Sequence, residues 1–276
     1  MKKAKVYRYI NIVLLTALLA LILVPIYWTI SMSFDEDVLT EVPNPPRLIP
    51  STLSWRNYKY AFNAIPLVRY FRNTLFLTVI NTLVSVFFAL SCGYAFAKGQ
   101  FFLKNFWFLF MLAVMMIPFE SIMVSLFLQY QRWSLLDTYW PLMLGSFAYV
   151  FGAFLARQNI SQIPDSLREA AFIDGASEWR TFLTIIIPLS GPVIATMCIL
   201  QILSHWNSFL WPLIIISSRE KHVISVGVSM FNASESARYL GPRMSVAVVS
   251  ALPIVVMFLF LQKHIVSSIA LSGIKQ

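Results

Sequence analysis

The chain runs 26 residues without a charge from Tyr9 to Phe34, and stretches of the same kind return along its length. About 20 apolar residues in a helix cross roughly 30 Å of hydrocarbon. In lipid the backbone must satisfy its own polar groups, which a helix does within one segment. Soluble domains hold about 45 to 50% apolar and about 25% charged residues, whereas here the figures are 58% and 12%. That excess excludes a soluble enzyme, and also a disordered chain, which needs the opposite balance. Cys92 and Cys198 lie inside apolar runs, where a reduced cysteine acts as a small hydrophobe, so no disulfide scaffold or cysteine-rich metal site is expected. The net charge of +9 comes from basic residues between the apolar runs, which points to a membrane surface and not to nucleic acid.

The first run follows Lys2, Lys3, Lys5 and Arg8 and is too long for a secretory core of about 7 to 15 residues, so it reads as a spanning helix. Asn73 to Ala97, Thr138 to Ala156 and Met244 to Gln262 are further uncharged windows, and Asn105 to Gln131 joins them with Glu120 inside it. Thr181 to Ser218 is too long for one crossing, but Pro188, Gly191 and Pro192 should end one helix there and start another. The expected fold is an all-α integral membrane protein, one domain over 1–276, with six transmembrane helices near 9–34, 71–97, 105–130, 138–157, 190–217 and 244–264. With a cytoplasmic N-terminus, 11 Lys and Arg fall inside and 10 outside. The basic cluster before the first span favours that orientation, which returns the C-terminus to the same side. The outer segment Val42 to Ser51, with Pro43, Pro45, Pro46 and Pro50, is expected to be a structured loop.

The long inner segment, 158–188, carries the most information. Pro164 suits a helix start, Asp165 places a negative charge in the first turn, Gly175 can take the left-handed conformation that closes a helix, and Ser177 can cap the next one. Leu167, Ala170, Ala171 and Asp174 share one face, flanked by Glu169; its small side chains let another surface come close. Trp179, Phe182, Leu183 and Ile186 repeat the spacing with bulky residues, which suits packing under a bundle. On spacing alone, an amphipathic loop that serves only its own bundle fits equally well.

Glu169-Ala170-Ala171, then Asp174-Gly175-Ala176, then Pro188 closely resemble the EAA loop of ATP-binding-cassette importer permeases. Trp206-Asn207-Ser208-Phe209-Leu210-Trp211-Pro212-Leu213 is similar to a segment of the carbohydrate-uptake permeases of the maltose-permease G type, as are Tyr94-Ala95-Phe96-Ala97 and Asn57-Tyr58. The tail, Ser268 to Lys275, departs from the usual ending of that family. The resemblance implies a type I importer permease fold, with Glu169, Ala170, Ala171, Asp174, Gly175 and Ala176 on a helix that docks into a cytoplasmic ATPase. It also implies a second permease subunit, expected as a heterodimer partner, two copies of the ATPase that bind ATP and Mg, an extracytoplasmic sugar-binding protein, and surrounding membrane lipid. No catalytic residue is expected in the chain itself.

The sequence contains no G-x-x-x-x-G-K-[ST] phosphate loop, and His205, His222 and His264 lack metal-ligand spacing. Glu120 is the one carboxylate inside a span, which makes it a pathway candidate by default; the alternative is that Pro118 ends the helix early and leaves Glu120 at the outer interface. Gln201, His205 and Ser208 form a polar stripe beside Trp206 and Asn207. Here Trp206 could stack on a sugar ring and His205, Asn207 or Gln201 could bond its hydroxyls. Thr78, Asn81, Thr82 and Ser85 form a second stripe, read as helix packing. The solute is left open between a neutral sugar, an acidic sugar and glycerol phosphate. An ion-coupled transporter would need charged coupling residues at midplane, and an intramembrane enzyme would need a nucleophile with its base; only Glu120 is available for the first and no set serves the second.

Overall fold

The computed structural model describes residues 2–39, 45, 47–234 and 239–273, and the described residues are helical apart from turns and one isolated bridge, Asp35 to Leu53. In chain order the helices are α1 (Lys2–Ser33), α2 (Arg56–Ala64), α3 (Leu67–Lys98), α4 (Lys104–Val114), α5 (Phe119–Arg132), α6 (Trp140–Leu144) and α7 (Val150–Ile160). They continue with α8 (Asp165–Ile173), α9 (Glu178–Thr181), α10 (Ile187–Leu189), α11 (Gly191–Trp206), α12 (Leu210–Ile215), α13 (Ile224–Ala233) and α14 (Leu240–Gly273). Val42, Pro43, Asn44 and Pro46 of the proline-rich outer loop lie outside the described residues, as do Ile274 and Lys275 of the tail.

Tyr9–Ser33, Leu67–Lys98 and Leu240–Leu259 are each long and apolar enough to cross a membrane, and two bent pairs bring the number to five if each pair is one span. The expected third span is such a pair: α4 stops at Val114, Pro118 interrupts the ladder, and α5 leaves at 90°. The expected fourth span is divided into α6, a 3-10 turn (Gly145–Ala148) and α7. At the start of the fifth, Glu178–Leu189 and α11 meet at 80°, where Pro188, Gly191 and Pro192 were expected to separate two helices. The fifth span itself then breaks again, at Asn207, before α12. Between α9 and α10 the chain makes a π turn (Phe182–Ile186) in which the Ile187 N–H donates to the Phe182 carbonyl. A widened turn relieves the clash of the Pro188 ring with the carbonyl four residues back.

The chain divides into two compact units, Met1–Arg69 with Val226–Pro253, and Tyr70–Ser225 with Ile254–Gln276. In the first, Asn57 is fully buried and donates its amide to the carbonyls of Ser33 (3.2 Å) and Asp35 (2.8 Å). Ser245 of α14 reaches the Asn57 carbonyl at 3.3 Å. A Cβ on Gly241 would stand 2.4 Å from Asn57 Nδ2, so only glycine allows this approach.

In the second unit α3 is the central helix. Thr74, Thr78, Asn81, Thr82 and Ser85 are all buried; Asn81 Nδ2 donates to the Leu142 carbonyl (3.0 Å) and Ser85 Oγ to that of Ser146 (3.0 Å). Asn81 and Ser85 therefore bind neighbouring segments as expected for packing, whereas the buried Thr78 and Thr82 hydroxyls find no partner among the described residues. Further along α3, a Cβ on Gly93 would stand 2.4 Å from that of Ala156, and one on Gly152 would stand 2.9 Å from that of Ala89. Ala89 and Gly93, like Gly152 and Ala156, are four residues apart, the small-xxx-small pattern that lets membrane helices touch. Around this crossing Val86, Leu90, Ile160, Phe182, Ile186 and Met197 close a core. Elsewhere in the unit, Asp137 accepts the amides of Ser217 (3.0 Å) and Ser218 (2.8 Å) and an ion pair from Lys221 at 2.9 Å.

Candidate functional site

The 158–189 segment forms two short helices joined by a tight turn. The Gly175 N–H donates to the Phe172 carbonyl (3.0 Å) and the Ala176 N–H to that of Ala171 (2.9 Å), which is the Schellman closure, and Gly175 sits at φ +79° with nothing within 4 Å of where a Cβ would stand. Ser177 Oγ accepts the Arg180 N–H at 3.3 Å, the cap read from sequence. Glu169, Ala170, Asp174 and Gly175 are exposed, Ala176 is half-buried, and Ala171 is only 8% exposed. The exposed part of the motif is therefore Glu169, Ala170 and the turn, while Ala171 packs inward. In the second helix Phe182 and Ile186 are buried and Trp179 and Leu183 are exposed, so half of the bulky face packs as expected and half stays open.

Two contacts, both unforeseen from the sequence, fasten this segment to the end of α3. Lys98 Nζ pairs with Asp165 at 2.8 Å and donates to the Ile163 carbonyl at 2.6 Å. Tyr94 OH donates to Glu178 Oε2, whose other oxygen takes the Arg168 guanidinium at 2.8 Å. The Lys98 ammonium holds the Asp165 carboxyl below the usual carboxylate range. Burial works to raise the Glu178 carboxyl, but Arg168 and the Tyr94 hydroxyl outweigh it and hold it low. Both carboxylates stay ionised at neutral pH, so α8 and α9 move with the end of α3 rather than as a free loop.

A second feature is a cavity of about 320 Å³ within the Tyr70–Ser225 unit, lined by Asn81 of α3, Phe119 of α5, Ser146, Ser204, His205 and Ser208, and Trp211 of α12, among others. His205 thus reaches a cavity wall. Gln201 is buried elsewhere in the unit, Trp206 is buried with its ring edge-on to Phe71 at 5.6 Å, and Asn207 is exposed and donates to the Leu203 carbonyl of its own helix at 2.9 Å. Glu120 is exposed in the first turn of α5, one residue from the cavity wall at Phe119, where the helix dipole favours a carboxylate. The break at Asn207 places Trp211 on the wall instead of Trp206. Ser204 and Ser208 are one turn apart on the same chain segment, a spacing visible in the sequence once His205 is taken as the centre.

The family model for the binding-protein-dependent transport system inner membrane component matches residues 85–271. The arabinooligosaccharides transport system permease protein AraQ of Halalkalibacterium halodurans is 34% identical over 82% of this chain and 81% of its own. The trehalose/maltose transport system permease protein MalG of Thermococcus litoralis is 29% identical over 99% of both chains. A solved bacterial ABC transporter involved in the import of the acidic polysaccharide alginate superposes with a TM-score of 0.85 at 23% identity, over 95% of this chain and 98% of that one, which supports the fold. A helical membrane chain, broken spans beside a cavity and a tightly closed loop of the EAA pattern thus coincide with a family match over most of the sequence, and the chain belongs to the inner-membrane components of binding-protein-dependent ABC transport systems.

Proposed function

We propose that the chain is one half of the translocation pathway of an ATP-driven carbohydrate importer, with six spans and both termini in the cytoplasm. In this reading Glu169, Ala170, Asp174, Gly175 and Ala176 present α8 to a cytoplasmic ATPase, with Ala171 supporting them from beneath. A second, different permease subunit supplies the other half, two ATPase subunits bind ATP and Mg, and an extracytoplasmic binding protein delivers the solute. ATP shifts the transporter between outward and inward opening only through its different affinity for the two states. The observation that carries the reading is the stiff mounting of α8: a Schellman-closed turn, with Lys98–Asp165 and Tyr94–Glu178–Arg168 fastening it to α3. A loop mounted this way transmits a push on α8 to a membrane helix.

Uptake measured in cells with and without the co-expressed ATPase, and with and without a proton or sodium gradient, tests it. Dependence on the gradient alone would replace it with a secondary transporter. In this reading His205 is the pathway residue, supported by its place on the cavity wall, which Gln201, Trp206 and Asn207 do not line. His205→Leu is expected to lower uptake normalised to assembled complex. An unchanged normalised rate, with less complex, would make His205 a packing residue.

A further inference from the structure

We infer that Lys104 and Arg157, with Lys98 behind them, form a binding site for the phosphate of an anionic phospholipid headgroup. The site stands on the membrane fold alone and does not depend on the importer reading. Lys98 ends α3, Lys104 begins α4 and Arg157 lies in the last turn of α7, so the ends of three helices bring these cations together. The Lys104 ammonium is repelled by Arg157 and by Lys98, and Asp165 is the carboxylate that opposes them. That carboxylate is already paired with Lys98 at 2.8 Å. Neither Lys104 nor Arg157 has a carboxylate partner among the described residues. Three cations against one carboxylate leave two positive charges unanswered.

Both side chains belong to half-buried residues that reach the surface, and the donors left over suit a phosphate. Lys104 Nζ donates to the carbonyls of Ala97 (3.1 Å) and Gly99 (2.9 Å), which uses two of its three N–H groups and cancels none of its charge. Arg157 lays its guanidinium carbon 3.7 Å from the centre of the Phe108 ring. Stacking of this kind occupies the face of the guanidinium plane and leaves the N–H groups at its edge. Of these, Nη2 reaches Asn105 Oδ1 only at 3.5 Å. A guanidinium edge matches phosphate oxygens in pairs. What adjoins the cations is apolar: Phe106, Trp107, Leu109 and Phe110 of α4 are each about half exposed or more, and Phe102 of the preceding turn is 84% exposed. Tryptophan and other amphipathic rings collect at headgroup level. Cations at the start of an outward apolar face fit one molecule that carries both a phosphate and acyl chains, whereas a free phosphate or an acidic peptide would use only the cations.

The test is native mass spectrometry of the assembled complex, extracted into detergent with equal amounts of phosphatidylglycerol and phosphatidylcholine. Retention of phosphatidylglycerol over phosphatidylcholine by about tenfold or more is expected, and added salt should erode the preference. Lys104→Gln and Arg157→Gln should each lower it about fivefold, since one basic residue near an anionic surface contributes about 1 kcal/mol. Glutamine at 104 can still donate to the Ala97 and Gly99 carbonyls, so the end of α3 keeps a partner. Arg157→Lys retains the charge and should keep most of the preference, and Arg132→Gln, at the far end of α5, should keep all of it. Equal retention of the two lipids by the wild type overturns the site, as does an undiminished preference in both glutamine variants. An equal loss in Arg132→Gln overturns the assignment to this cluster. Displacement of phosphatidylglycerol by millimolar inorganic phosphate overturns the lipid in favour of a free anion. If one glutamine variant fails to assemble, the other decides.

Discussion

Gly175 offers the sharpest test of the loop, because its constraint is purely conformational. At φ +79° an added side chain would meet no atom within 4 Å, so steric exclusion by neighbours contributes nothing and the whole cost lies in the backbone. Holding an L-residue in the left-handed region costs roughly 1 to 2 kcal/mol, and a β-branched residue fares worst there. A cost of that size reduces the closed form of the turn relative to open forms by a factor of about 5 to 30. Opening it would release the two closing bonds from Gly175 and Ala176 and fray the end of α8. Gly175→Val should therefore insert and assemble at normal levels yet lose most ATP-coupled uptake, Gly175→Ala should fall between, and Gly175→Asn should stay closest to wild type, since asparagine visits this region most readily. The assay is uptake and binding-protein-stimulated ATP hydrolysis in reconstituted complexes, normalised to the amount of this subunit. Wild-type uptake in Gly175→Val, or equal losses in the Asn and Val variants, would refute the conformational argument.

The exposed Ala170→Trp is expected to reduce recovery of the ATPase in a pull-down without lowering membrane insertion, whereas the buried Ala171→Trp should lower the yield of the subunit itself; equal behaviour of the two would remove the distinction between open and packed faces. A cysteine at Ser166 should react with a membrane-impermeant thiol reagent only in opened cells and one at Ser234 in intact cells, and the reverse pattern would invert the topology. Ser218 leads the groups that depress the Asp137 carboxyl pKa, through hydroxyl and amide, with Lys221 adding to it. A depressed pKa gives stability that is present above the unfolded value and lost only as pH falls through the folded one. Asp137→Asn should therefore lower the thermal midpoint of the purified subunit equally at pH 6 and pH 8, and a loss confined to one of these would contradict the assignment. Glu120→Gln should keep wild-type uptake, as befits a first-turn carboxylate worth about 0.3 to 1 kcal/mol; lost transport with intact assembly would return Glu120 to the pathway.

Local chemistry made much of this protein legible. Uncharged windows of membrane length located apolar helices because hydrocarbon thickness sets a minimum run. Pro188, Gly191 and Pro192 marked a break, Gly175 a left-handed closure and Ser177 a cap, because each acts on the backbone within a few residues of itself. The polar stripe of α3 read in part as helix packing for the same kind of reason: Asn81 and Ser85 find carbonyls on neighbouring segments, while Thr78 and Thr82 do not.

What the sequence left open is which face of each helix turns inward. In water an apolar face points to the core, but in a membrane lipid is as apolar as the core, so hydropathy does not separate them. Only the tertiary structure turned Trp206 onto Phe71 and brought Trp211 to the cavity, buried Ala171 while leaving Ala170 open, and bent the third span by 90° so that Glu120 begins a helix. The pairing of Lys98 with Asp165 and of Tyr94 with Glu178 spans 67 and 84 residues of chain. No local propensity encodes such pairs; they exist because Ala89 and Gly93 let α7 approach α3 closely enough to carry the inner loop to its end.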